Sequence, residues 1–259
     1  MAAEAELLPE ERTVIRQELN IEKWPLFATS RFRGKSRELS RVVKLDNGDE
    51  VSRKVTIGKI DEDEVGVLRI GDYKIFCALV RIWEEQGRPP EMEVNFTMHK
   101  IAKLLKLEWG GKSYAYIRKC LRKLRGIPIV WEDSFFQKES GETESMIDHF
   151  TLLDELKIFE RRKGKQMYFA FSVFKFNKRI LSNLLHHHTK PLYLDVLCSF
   201  KKEISLLLYR QLDLVMADKT RYERRTEALF ADLNLTEYEY PSKRKQLLAP
   251  IMEELEGIE

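Results

Sequence analysis

Residues 97–125 carry nine basic side chains and one acidic one: Lys100, Lys103, Lys106, Lys112, Arg118, Lys119, Arg122, Lys123 and Arg125 against Glu108. The whole chain has a formal net charge of only +3, so this segment holds almost all of its excess positive charge. Three shorter basic runs follow, at Arg161-Arg162-Lys163-Gly164-Lys165, from Lys219 to Arg225, and at Lys243-Arg244-Lys245. A local excess of one sign in a chain of modest net charge suits a surface that binds a polyanion. Arg118, Arg122 and Arg125 recur at i, i+4 and i+7, so on a helix they share a strip, with Lys112, Lys119 and Lys123 along an adjacent one. An arginine fork matches guanine O6 and N7 or a phosphate, and a lysine offers phosphate a point charge. Lys112 and Ser113 begin the helix, whose N-terminus itself attracts phosphate; Tyr114 and Tyr116 add hydrogen bonds or stacking. The candidate DNA-contacting residues are therefore Lys112, Ser113, Tyr114, Tyr116, Arg118, Lys119, Arg122, Lys123 and Arg125, with Arg161, Arg162, Lys163 and Lys165 at a wing tip. Ser242, Lys243, Arg244 and Lys245 are expected to head a second recognition helix.

Residue types that enzymes use are present without the spacing that enzymes need. His186-His187-His188 cannot all face one ion on a regular helix, and they read as a polar loop start before Lys190-Pro191. Asp61-Glu62-Asp63-Glu64 could hold Mg²⁺ for phosphoryl chemistry, but reads better as a solvated acidic turn. Glu108-Trp109-Gly110-Gly111-Lys112-Ser113 ends like a phosphate loop but lacks its first glycine and a buried strand before it. Cys77, Cys120 and Cys198 are odd in number and far apart, which suggests neither a disulfide framework nor a zinc module. No catalytic residue, metal site or cofactor is expected.

Helices and hairpins must position the basic residues. Leu7 to Leu19 reads as a short helix, and Trp24-Pro25-Leu26-Phe27 as an apolar anchor before a polar stretch. Asn47-Gly48 lies between the β-branched runs 39–45 and 51–57, a strong hairpin signal. Val65 to Leu68 reads as a third short strand. From Gly71, the positions Tyr73, Phe76, Cys77, Val80 and Trp83 form the apolar face of a helix that Gly87 and Pro89-Pro90 end. Thr97 is placed to cap a short second helix with Ile101, Leu104 and Leu105 inward. Ser113 is placed to cap a third, buried along Ile117, Leu121 and Leu124 and stopped by Gly126 and Pro128. The period then becomes extended: Ile127 to Phe136, Met146 to Leu153, and a hairpin of 156–162 with 167–173 around Lys163-Gly164-Lys165. Helix, short helix, glycine turn, basic helix and hairpin is the order of a winged helix-turn-helix, whose third helix enters the major groove. Residues 176–201 read as a connecting helix and loop. Helices are expected over Ile204–Val215, over Arg221–Leu233 with Asn234 at its C-terminal end, and from Pro241. That is again a three-helix unit with a basic-headed last helix. No strand pair follows before Glu259, so the second wing is absent or the chain is truncated.

The chain has 259 residues, enough for two compact domains. Hydrophobic residues are 43% and aromatic residues 10%, which excludes wholesale disorder. Charged residues, at 34%, exceed the usual ~25%. No run nears the ~20 apolar residues of a membrane span, and the acidic start is unlike a secretory signal, so a cytoplasmic location and no membrane partner are expected. The expected fold is α+β: tandem winged helix-turn-helix domains, the second short of its wing. Residues 1–70 form an N-terminal extension with a β-hairpin, 71–175 the first winged-helix domain and 176–259 the helical part of the second.

Trp24-Pro25-Leu26-Phe27, Gly71-Asp72-Tyr73-Lys74-Ile75-Phe76 with Ile82-Trp83, Tyr116-Ile117-Arg118-Lys119-Cys120-Leu121, and Ile204–Arg210 followed by Arg221-Tyr222-Glu223-Arg224-Arg225 resemble bacterial plasmid replication initiators of the replication initiator protein A and TrfA type. The resemblance runs over residues 24–259 as a pattern of helices and aromatic positions. It implies tandem winged-helix domains that bind directly repeated DNA sites (iterons), promote melting of an AT-rich stretch and recruit the host replicative helicase. It places Lys112–Arg125 on the first recognition helix and Ser242–Leu255 on the second. It also implies a homodimer that dissociates to bind origins; Phe135, Phe136 and Phe150 fit either that interface or the core. The activity expected is non-enzymatic. The alternatives are a winged-helix transcriptional regulator with residues 1–70 as effector or dimer module, a nuclease or transposase-like enzyme using Asp61, Asp63 and Glu64, and a protein–protein adaptor.

Overall fold

The computed structural model describes residues 12–44, 50–58, 66–91, 93–140, 142–143, 147–163, 166–169, 171–216, 219–235 and 237–257. The Asn47-Gly48 turn and the acidic run Asp61–Glu64 lie outside them, as do Gly164 and Lys165.

The chain begins with β1 (Val14–Glu18) and α1 (Leu19–Lys23). Where a helix was expected up to Leu19, Ile15 and Gln17 are buried and Val14 and Arg16 are exposed, the alternation of a strand. The hairpin β2 (Arg37–Lys44) and β3 (Glu50–Ile57) pairs antiparallel as read from the sequence. Gly66–Leu68 forms no strand; beside it only an isolated bridge joins Ala28 to Arg69. Then come α2 (Ile70–Glu85), β4 (Val94–Phe96), α3 (Met98–Leu104) and α4 (Gly111–Gly126).

Helix α2 is the spine. Beyond the expected face, Ile75, Ala78, Leu79 and Ile82 are also buried, because elements pack around most of its circumference. Asp72 Oδ2 accepts from the Arg69 amide at 2.7 Å and satisfies one donor at its start. Gly87, with φ +82, ends it in a conformation that side chains resist. Thr97 caps α3 as expected, its side chain accepting from the Lys100 amide at 3.0 Å. Helix α4 starts earlier than its serine suggested, with Gly110 at the cap, and Ser113 Oγ instead donates to the Glu108 carbonyl.

After α4 the chain forms β5 (Ile129–Glu132), β6 (Phe136–Gln137), β7 (Glu142–Thr143) and β8 (Ile147–Phe150). The long strand expected from Ile127 to Phe136 breaks at Asp133, whose φ is +49. Strands β5 and β8 extend the first hairpin into a sheet of order β2-β3-β5-β8. Trp131 stacks on Phe150 at 5.8 Å, with Phe135 edge-on to both at 5.1 and 5.2 Å. Phe135 and Phe150 thus belong to the core, while half-buried Phe136 lies 4.8 Å from the His188 ring. The hairpin that follows is built in two parts. Its base is β9 (Leu153–Lys157) with a later strand, β12 (Ser172–Phe176), and its tip is β10 (Glu160–Lys163) with β11 (Gln166–Phe169). Strand β4 adds to the base, giving the order β4-β12-β9.

The remainder comprises α5 (Lys178–Leu185), β13 (Thr189–Tyr193), α6 (Leu194–Ser199), α7 (Glu203–Val215), α8 (Thr226–Asp232) and α9 (Pro241–Glu256). Strand β13, read from the sequence as connecting loop, pairs antiparallel with β1. Helix α8 starts five residues later than expected. Arg221, Arg224 and Arg225 would repel at helical spacing, and Arg224 instead forks onto Asp232 at 2.8 and 3.0 Å. Asn234 follows α8 with φ +50, a helix-ending conformation that asparagine tolerates.

Two buried polar networks join these parts. Arg210 of α7 donates to Glu22 at 2.8 Å and to the Ile21 carbonyl at 3.0 Å, and its guanidinium lies 4.0 Å from the Tyr73 ring centre. Tyr73 donates to the other Glu22 oxygen at 3.0 Å, so both carboxylate oxygens and the cation are satisfied out of water. Glu18 accepts from the Ile21 amide at 2.9 Å and from the Asn20 and Asn183 amides at 2.7 and 2.9 Å. Burial outweighs these bonds and pushes its carboxyl up to about 7.

Candidate nucleic-acid interface

Helix α4 is docked by Tyr114, Ile117, Cys120, Leu121 and Leu124, which are buried against α2, α3 and β9. Its positions at Lys112, Ala115, Tyr116, Lys119, Arg122 and Arg125 are exposed. A rod with one apolar edge and one cationic edge follows from the spacing, because residues three and four apart share a helix face.

The arginine strip faces the hairpin. Arg118, Arg122 and Arg125 line an open cleft of about 350 Å³ whose other wall is Leu156 and Ile158, from β9 and the residue following it. Glu155, also on β9, is held below the usual carboxylate range, mainly by its bond to Lys157, with Arg125 contributing. The cleft therefore has a forked, cationic side and an apolar side. It can hold phosphates or base edges against the arginines, with the hairpin alongside.

Several expected residues have other surroundings. The Lys123 ammonium pairs with buried Asp72 at the head of α2, so it clamps α4 to the spine and does not stand in the open strip with Lys112 and Lys119. Tyr114 faces inward and is 8% exposed. The hydroxyl end of Tyr116 lies over Gly71, where an added Cβ would stand 2.1 Å from its oxygen; partial burial raises its pKa. Arg161, Arg162 and Lys163 fall on β10 at the hairpin tip, as the wing reading requires.

The second basic helix is built differently. In α9, Ser242, Lys243 and Lys245 are exposed, and Lys243 lies 5.1 Å from the Tyr240 ring. Arg244 is half-buried: its Nε donates to the Tyr238 carbonyl at 2.7 Å and its guanidinium lies 5.7 Å from the Phe230 ring. Only Ile251 of α9 is buried, and Pro250 interrupts the helix's own hydrogen bonding.

Sequence reading missed the Leu156–Ile158 wall and the Asp72 partner of Lys123. The first carries a detectable signal, since Leu156 and Ile158 alternate with Glu155 and Lys157 along β9 and the residue after it; the second partner is 51 residues away and carries none. In the histidine run, His186 Nδ1 lies 2.9 Å from the Ser182 carbonyl oxygen. Burial holds His188 down at about 4. Among the described residues, no helix is long and apolar enough to cross a membrane.

Residues 70–176 run helix, strand, short helix and basic helix, then β5–β8, of which β5 and β8 join the larger sheet, and then a hairpin on a three-stranded sheet; this is a winged-helix-like arrangement within a larger α+β fold. The chain belongs to the Replication initiator protein A family, which matches it over residues 16–226. No curated protein matches the sequence. Crystal structures of domains 2 and 3 of RctB share the fold. One aligns at 11% identity with a TM-score of 0.60, covering 88% of this chain and 82% of that one. Another aligns at 11% identity with a TM-score of 0.53, covering 86% and 78%.

Proposed function

We propose that this chain is a non-enzymatic, duplex-DNA-binding replication initiator that recognises directly repeated sites at a plasmid-type origin. Helix α4 enters a major groove with Arg118 and Arg122 toward base edges, Lys112 and Lys119 on phosphates, and the β10–β11 tip along the backbone. Helices α7, α8 and α9 act as a second unit on a neighbouring groove, with Ser242, Lys243 and Lys245 at its contact. Binding at a repeat array bends or strains the adjacent duplex, nucleates opening, and presents the protein to the host replicative helicase; a homodimer is the resting form. Lys123 and Arg244 are assigned to holding their helices rather than to DNA. The observation that carries this reading is the row Arg118, Arg122 and Arg125 aligned along a cleft shared with the hairpin, in a member of a replication-initiator family.

The test is selection of bound duplexes from a random pool, followed by footprinting of the winning site. Direct repeats beside an AT-rich segment are the expected outcome, with a log–log salt slope near −5 if roughly six phosphates are neutralised. Recovered duplexes that bind no better than random DNA at physiological salt would overturn the reading.

A further inference from the structure

The stretch after the Trp24–Phe27 anchor, Ser30-Arg31-Phe32-Arg33-Gly34-Lys35, crowds three cations into six residues. The structure lays it against the basic helix of the second unit. Arg31, Arg33 and Lys243 line one open cleft of about 630 Å³, together with Glu237, Tyr238 and Leu247 among others. Arg31, Arg33, Lys35, Lys243 and Lys245 are all exposed.

Two carboxylates, each keeping its charge, fasten the start of this segment. Glu203, at the start of α7, accepts from the Ser30 amide at 2.7 Å and from its hydroxyl at 2.8 Å. Glu237 accepts from the Thr29 hydroxyl at 2.5 Å. These bonds pin residues 29–30 at the foot of the second unit. Arg31 lies 5.7 Å from the Tyr238 ring, which orients its guanidinium on the cleft wall. The Arg33 guanidinium donates to the Ser30 carbonyl at 3.4 Å. The lining thus sets three cations against one carboxylate on a fixed base.

We propose that Arg31 and Arg33 form, with Lys243, a second phosphate-binding surface that grips the duplex backbone beside the α9 contact. A non-helical basic segment flanking a helix head holds register on DNA through phosphates and carries no base preference. The assignment rests on the reading of this chain as a duplex-DNA binder, and adds residues that lie far in sequence from either basic helix.

The experiment is fluorescence anisotropy with a labelled random-sequence duplex and with a duplex recovered by selection, each over a salt series. Arg33→Ala should weaken both complexes several-fold and alike, and reduce the log–log salt slope by ~1; Arg31→Ala with Arg33→Ala should reduce it by ~2. Glu237→Gln, which keeps an acceptor for Thr29, should tighten binding to both duplexes about two-fold, a gain that impaired folding would not produce. If Arg33→Ala and the double variant keep wild-type affinity and slope while Arg122→Ala weakens binding, the segment does not touch DNA and the α4 reading stands. A wild-type protein that binds neither duplex overturns both.

Discussion

Helices α4 and α9 both carry a run of basic residues, and the two runs are held in different ways. In α4, five side chains are buried and the arginines stand in a row along the hairpin cleft. In α9, one side chain is buried, a proline interrupts the rod, and the central arginine of the basic triplet is bonded to the Tyr238 carbonyl. The difference shows that a basic cluster read from sequence mixes two jobs. Some cations fasten a helix, as Lys123 does on Asp72 and Arg244 on the Tyr238 carbonyl; others are left facing solvent. Direct contact with base edges needs a rigid support, which is why the proposed function gives base reading to α4 and phosphate contact to α9.

The largest effect expected comes from breaking the buried joint of α7 with α1 and α2. Arg210→Ala leaves Glu22 charged, buried and half-satisfied, and should cost about 3–5 kcal/mol in chemical denaturation. A loss below about 1 kcal/mol would mean that the packing of α7 on α1 and α2 does not depend on this pair. Next, Arg122→Ala should cost ~1–3 kcal/mol in binding to a selected duplex and relax base preference, with little change in melting. Arg244→Ala should instead lower stability by about 1 kcal/mol and reduce affinity equally for all sequences. Equal losses of base preference in both variants would erase the distinction drawn between α4 and α9.

The pH dependence of the other joint is smaller and has a definite sign. Glu18 has its folded pKa raised to about 7 from 4.5, so the folded state retains a proton that the unfolded state releases. Its contribution is fully present below about pH 4.5 and is lost as pH rises toward 7, on the order of 1.4 kcal/mol per pH unit inside that window. His188, lowered to about 4 by burial, acts in the opposite direction: its contribution is present above 6.5 and is lost as pH falls toward 4. The check is therefore the stability of the wild type relative to Glu18→Gln across pH 5–8, which should fall with rising pH. A flat difference would show that Glu18 does not retain the proton.

The finest comparison lies within α4 itself. Lys119→Ala should lower the salt slope by ~0.9 without shifting Tm, whereas Lys123→Met should lower Tm and leave the slope near wild type. A drop in slope for Lys123→Met would return that lysine to the DNA-facing strip.

The helices of the first unit were legible because burial repeats every three to four residues: Tyr73 to Trp83, Ile101 to Leu105, and Ile117 to Leu124 announce themselves locally. The hairpin β2–β3 was legible from its flanking β-branched runs and turn residues. Strands β1 and β13 were not, because each is short and finds its partner across most of the chain. The sheet β2-β3-β5-β8 was hidden for the same reason: nothing near Ile129 says that it will lie beside Ile57. In the candidate site, periodicity gave the row of arginines, but recognising Lys123 and Arg244 as fasteners depended on Asp72 and Tyr238. Those partners are set by tertiary packing rather than by spacing.

The pairing of β1 with β13 bears on how the chain is made. The Thr13 amide donates to Asp195, 182 positions later, and the strand beside it closes in the same register. During synthesis β1 emerges before β13, and the edge it offers that strand stays open until the 170 residues between Glu18 and Thr189 have followed. Pairs of such high sequence separation are slow to close as a rule, and an unguarded edge of this kind is where newly made copies can stick to one another.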